Sequence, residues 1–245
     1  MKLDMMTWTA VEKEVVRGTC LIIPAGSTEQ HGPMGFIGTD RICAEAVAQR
    51  AADLSNSIVA PSLAYTPAPF NMAFGGTMSV SAPVFEALVS ELFTGAVDQG
   101  FLGVYVVNGH GANIAPLHRA AEKWKSRVRI RSWWDFDEVE QLRSTFYGRW
   151  EGMHATPSEI AITQHIHYPL PTGDAATPPR AIDREFMRSH AGDNHGPPEQ
   201  HRAEFPDGRV GSHSALARPE QGEQLLNAAA AAVAHDIAAF TGTTR

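Results

Sequence analysis

The chain has 245 residues, 43% of them apolar, enough to bury a sizeable core, and it reads as one domain spanning residues 1–245. Its formal net charge of −7 argues against nucleic acid as a partner, because such binders carry a clustered basic excess. The opening MKLDMMTWTA has an acid at Asp4 and no long apolar run, so neither a secretory signal nor a membrane span is expected, and the reading is cytoplasmic.

In chain order, CLIIPAG from Cys20 is an apolar run ended by Pro-Ala-Gly, the pattern of a buried parallel strand. The loop PAGSTEQHGPMGFIGTD (Pro24 to Asp40) follows, with Glu29, His31 and Asp40 in an irregular stretch, and then RICAEAVAQRAADL repeats its apolar residues at helical spacing. The alternation continues with NSIVAPSLAY as strand, APVFEALVSELFTGAVDQG as a helix opened by Ser81, LGVYVVNG as strand, NIAPLHRAAEKWKS as helix and VRIRSWWDF as strand. From Asp137, DEVEQLRSTFY and PSEIAITQHIHY read as helices. Residues 170–218, rich in Pro, Gly and His, read as a surface excursion with solvated His190, His195, His201 and His213; PEQGEQLLNAAAAAVAHDIAAF closes the chain as a helix. Strands alternating with helices imply an α/β fold with a mainly parallel sheet covered on both faces. Cys20 and Cys43, one on a strand and one on an apolar helix face, are expected to be buried thiols.

Ligands of open α/β sheets bind outside the carboxyl ends of the strands, and two loops lie there: the one with Glu29, His31 and Asp40, and NGHGAN (Asn108 to Asn113) with His110. If the two turns face one another, their oxygen and imidazole donors suit zinc, manganese or iron, and a bridging carboxylate permits two metals about 3.5–4 Å apart. The alternatives are a solvated Glu-x-His turn and an NGHG turn whose glycines serve positive φ or close packing. A serine or cysteine nucleophile is not expected, since AGSTEQ lacks the Gly-x-Ser-x-Gly elbow and neither cysteine sits in a strand-end loop.

PAGSTEQHGPMGFIGTD, VVNGHGAN and RWEGMHATPSEIA resemble, in order and separation, three signature blocks of the creatininase family, from about Trp8 to Tyr168. The resemblance implies a three-layer α/β/α sandwich, a metal-dependent amidohydrolase, a homo-oligomer (a hexamer by the same resemblance) and a binuclear site. Carried over position by position, Glu29 and His110 would bind one metal, His31 the other, and Asp40 would bridge them. Creatininase takes a further carboxylate from the block after its histidine, where this chain has Ala112. Glu159 is the candidate replacement, although TPSE from Thr156 to Glu159 is also a helix capping box. By the same resemblance His154 would carry a proton to the leaving nitrogen, Glu151 would orient or charge it, and Trp150 and Asn71 would line the substrate. Departures from the family pattern at Met34, Asn71, Gly75 and Pro157 lie near the mouth of the site and leave the substrate open. The expected function is cleavage of a C–N bond in a small cyclic amide or formamide by metal-activated water. The alternatives are an oxidised cyclitol or sugar ring, a peptide, or a metal-binding homologue without turnover.

Overall fold

Strands β1 (Cys20–Ala25), β2 (Ile58–Val59), β3 (Gly103–Asn108) and β4 (Val128–Ser132) pair in the order β2-β1-β3-β4, all parallel, in a computed structural model that describes residues 1–167 and 173–242. Every residue of β1 and β3 is buried, which is why both read as unbroken apolar runs rather than alternating ones. Their side chains part to two faces. Ile22, Tyr105 and Val107 pack beneath α2 (Thr39–Ser55), α5 (Asp137–Tyr147), α6 (Pro157–Ile166) and α9 (Pro219–Thr241); Ile23, Val104 and Val106 face α3 (Ala82–Asp98) and α4 (Ile114–Ala121). This is the three-layer sandwich, and the order of strands reverses direction between β1 and β3. The crevice at that switch point is where the loops after β1 and β3 emerge side by side.

The strand expected over NSIVAPSLAY shrinks to Ile58–Val59, because Pro61 has no N–H to give to a ladder. The segment still follows β1, with Ala60 N donating to Ile22 O at 2.8 Å and Leu63 N to Pro24 O at 2.9 Å. The helix α1 (Trp8–Val16) was not apparent in the sequence; none of its residues is buried, and Val11 and Val15 pack partly buried against the core. Ser81 stands at the start of α3 but makes no side-chain cap bond there. Both cysteines are free and buried. Tyr168 lies outside the described residues.

The Pro/Gly/His-rich segment differs most from expectation. It carries α7 (Arg184–Ser189) and α8 (Pro198–Glu204), and His195, His201 and His213 are buried rather than solvated. Arg209, 3% exposed, braces the segment internally through Asp207, Ala175 O and Thr177 O. An antiparallel bridge between Val210 and His154 lays it against the third sequence block.

Candidate metal centre

Glycines at the two strand ends set the geometry. A Cβ at Gly26, after β1, would collide with the Asp40–Arg41 peptide, and one at Gly109, after β3, with Asp40 O. Both loops therefore close on the first turn of α2, which presents Asp40 between them. Asp40 divides its oxygens: Oδ1 lies 2.7 Å from His31 Nε2, and Oδ2 lies 2.9 Å from His110 Nδ1 and accepts from Ser27 Oγ at 2.8 Å.

Each imidazole is aimed by a backbone carbonyl. His31 Nδ1–H donates to Glu29 O (3.1 Å), His110 Nε2–H to Pro67 O (2.7 Å) and His154 Nε2–H to Gln30 O (2.7 Å). The other nitrogen of each ring is left facing the carboxylates, the arrangement that fixes tautomers at metal sites. His110 Nδ1 stands 3.1 Å and His154 Nδ1 3.8 Å from Glu29 Oε1. Ligand atoms converge within 4.8 Å in three triplets: Glu29–Asp40–His110, His31–Asp40–Glu159 and Glu29–His31–His154.

The donors fit divalent cations. All six are at most 8% exposed, and every ion pair their carboxylates make among the described residues is with an imidazole. Glu29 Oε1 is buried without a hydrogen-bond partner, a costly state that a cation would remove. The same carboxylates favour the protonated form of the rings they face. Asp40 raises His31 to about 10 against the opposing effect of burial, and Glu29 and Asp40 raise His110. Burial moves His154 the other way, below its ordinary value, and pushes Glu159 up to about 7.

Glu159 caps α6 and also stands among the donors that could hold a cation. Its Oε2 accepts from Thr156 N at 2.9 Å while Thr156 Oγ1 accepts from Glu159 N at 3.2 Å, a complete capping box, and its carboxylate still belongs to the His31–Asp40 triplet. Glu151 is not seen to orient His154: its Oε1 accepts from Arg143 Nε (2.8 Å) and from Ser158 Oγ. Asn71, fully buried at the end of a 3-10 turn, donates to Glu29 Oε2 and accepts from Gln30 Nε2, both at 2.8 Å, so its amide faces the site's own residues. Trp150 is half-buried, edge-on to His213. Ser27, Gln30 and Asp193 also enter the site; Ser27 and Gln30 lie inside the first signature block, whereas no pattern in the sequence marks Asp193.

The family described as Creatininase, creatinine amidohydrolase, matches residues 4–237. The chain belongs to the creatininase family. Members of that family are hydrolases. A crystal structure of creatininase superposes with a TM-score of 0.80 at 21% identity over 97% of this chain and 96% of that one, a likeness of fold. Solved creatininases of similar fold, at 22% identity, include a Zn–Zn type and a manganese form. The mycofactocin precursor peptide peptidase of Mycobacterium tuberculosis H37Rv is 34% identical over 123 residues, 46% of this chain and 49% of its own. The 3-dehydro-scyllo-inosose hydrolase of Thermotoga maritima is 29% identical over 107 residues, 43% of this chain and 34% of its own. The chain thus spans half the length, or less, of the curated relatives it matches. Among the described residues no helix is long and apolar enough to cross a membrane.

Proposed function

We propose that this creatininase-family chain binds two divalent cations, zinc, manganese or iron, and hydrolyses a C–N bond of a small cyclic amide or formamide. The observation that carries the reading is the division of Asp40, one oxygen toward each imidazole, which makes it the shared member of two triplets. Glu29 and His110 would complete one cation's set, and His31 and Glu159 the other's. The chemistry such cations supply is Lewis-acidic: they acidify water toward neutrality and polarise a carbonyl.

The chain's own residues do the rest. His154, anchored through Nε2–H on Gln30 O, is neutral at pH 7 because burial lowers its pKa, so Nδ1 is free to take a proton from the attacking water and pass it to the leaving nitrogen. Asn71 acts by holding Glu29, and Glu151 by fixing Ser158 at the start of α6. Trp150 stands as a wall of the substrate site. A small substrate is favoured because the donors are buried and covered by the segment that holds His195, His201 and Arg209. A short peptide is the second reading, supported by the mycofactocin peptidase relative. We also infer a homo-oligomer, since Val84, Leu88 and Leu92 form an exposed apolar stripe at four-residue spacing on α3; sedimentation as a monomer would reject it.

The central test is elemental analysis of the purified protein, followed by a screen of cyclic amides, formamides, oxidised cyclitols and short peptides before and after chelation. Two metals per chain and a chelator-sensitive release of amine are expected. Two tightly held metals in Asp40→Ala would reject the bridge, and metal binding without turnover on any class would favour the non-catalytic homologue.

A further inference from the structure

The loop after β3 offers no ligand beyond His110, since Gly111 and Ala112 follow it. The structure fills this place from elsewhere. Asp193 comes in between α7 and α8 with its side chain 9% exposed, and its Oδ2 accepts from Ala112 N at 2.9 Å. The same oxygen lies 3.6 Å from His110 Nδ1, the nitrogen already faced by Asp40 Oδ2 at 2.9 Å and Glu29 Oε1 at 3.1 Å. Room is made on both sides of the contact. The three atoms that a Cβ on Gly111 would meet first all belong to the Asp193 carboxyl, and Asp193 itself takes φ +58°, uncommon for a residue with a side chain. Glu29 Oε1, buried and without a hydrogen-bond partner, is aimed at the same nitrogen.

We propose that Asp193 is a further carboxylate of the metal site, serving the cation on the Glu29–Asp40–His110 side. The proposal rests on the two-cation reading above. Two donors on one tetrahedral cation, each about 2.1 Å from it, stand roughly 3.4 Å apart, so a carboxylate 3.6 Å from His110 Nδ1 is placed to act directly or through one water. The Ala112 N–H holds it in that orientation, as outer partners of metal ligands commonly are held. The two sides of the site then differ in character. Glu29, Asp193 and the shared Asp40 surround His110 with oxygen, whereas His31 has a second imidazole, His154, beside its carboxylates, so the His110 side is the one suited to the harder cation.

The test titrates metal-free protein with Mn²⁺ and with Zn²⁺, alongside a thermal melt of the metal-free form. Asp193→Asn keeps an acceptor for Ala112 N and removes only the charge. It should weaken Mn²⁺ at one of two sites by roughly 10–100-fold, the usual effect of losing a supporting group, and Zn²⁺ by less. Gly111→Ala leaves the carboxylate in the chain but pushes it away, and should reproduce the same selective loss; it also carries the test if Asp193→Asn fails to fold. Wild-type Mn²⁺ affinity in Asp193→Asn overturns the proposal. So does an equal loss of both metals at both sites accompanied by a lower metal-free melting temperature, which marks a structural prop. A wild-type protein that binds no pair of cations overturns the two-cation reading itself, whereas a normal pair in both wild type and Asp193→Asn overturns this inference alone.

Discussion

At the scale of single residues, Glu159 and His154 separate structure from chemistry. Glu159→Gln keeps an oxygen for Thr156 N–H, so the cap and the fold should survive with stability changed by no more than about 1 kcal/mol, while elemental analysis should find the cation on the His31 side weakened or missing. Unchanged metal content would leave Glu159 as a cap alone. His154→Ala should retain both metals and slow turnover by roughly 10²–10⁴-fold, the usual share of general acid–base catalysis. A substrate with a more acidic leaving amine should recover part of that loss; full activity on the ordinary substrate would remove His154 from the mechanism. Glu29, His31, Asp40 and His110 could be picked out as candidates because they lie in loops that follow buried strands, whereas His154 and Glu159 stood out only through the family resemblance; the structure brings all six together. The direction a side chain takes was not legible. Glu151 lies three residues from His154 in sequence, but Arg143 and Ser158 claim its carboxylate, and both bonds depend on how α5 and α6 pack.

Among the elements, the strand-end glycines matter most. Gly109 touches Asp40 O so closely that Gly109→Ala must push β3 and the start of α2 apart. The expected cost is about 1–3 kcal/mol by denaturant melting, as for other overpacked sites, together with weaker binding of both cations because Asp40 moves. Wild-type metal affinity in a destabilised Gly109→Ala protein would show that Asp40 does not depend on this contact. β1 and β3 could be read from sequence because strands buried on both faces demand an unbroken apolar run. β2 was overestimated because its apolar composition continues past Pro61, where the ladder cannot. Nor could pattern show which face of the 170–218 segment turns inward, since its short helices pack by contacts such as His201 against Phe70, centroids 5.2 Å apart.

Over the whole molecule, the charges at the site couple stability to pH. His31 is raised from 6.5 to about 10 in the metal-free fold, so the stability it contributes is complete below pH 6.5 and is lost as pH rises through 10. Glu159, raised from 4.5 to about 7, loses its contribution between those values on the same upward path. Metal-free protein should therefore melt at progressively lower temperature as pH rises from 6.5 to 10, while cation affinity climbs and binding releases protons, seen as a buffer-dependent heat in calorimetry. A melting temperature that rises over this interval in the presence of chelator would contradict the assignment. One consequence of the site's construction concerns the order of events in folding. Its donors are gathered from the ends of β1 and β3, from the start of α2, and from the turn before α6 and its first turn, so they form three groups distant in an unfolded chain: Glu29 to Asp40, His110, and His154 with Glu159. Closing loops of this length precedes any reward from the cation, and interactions that form after the rate-limiting step act on the unfolding limb alone. In stopped-flow experiments, saturating cation should leave the refolding rate within about a factor of two of the metal-free value and slow unfolding by nearly the whole of the equilibrium stabilisation, making the bound ions a brake on opening rather than a template for assembly.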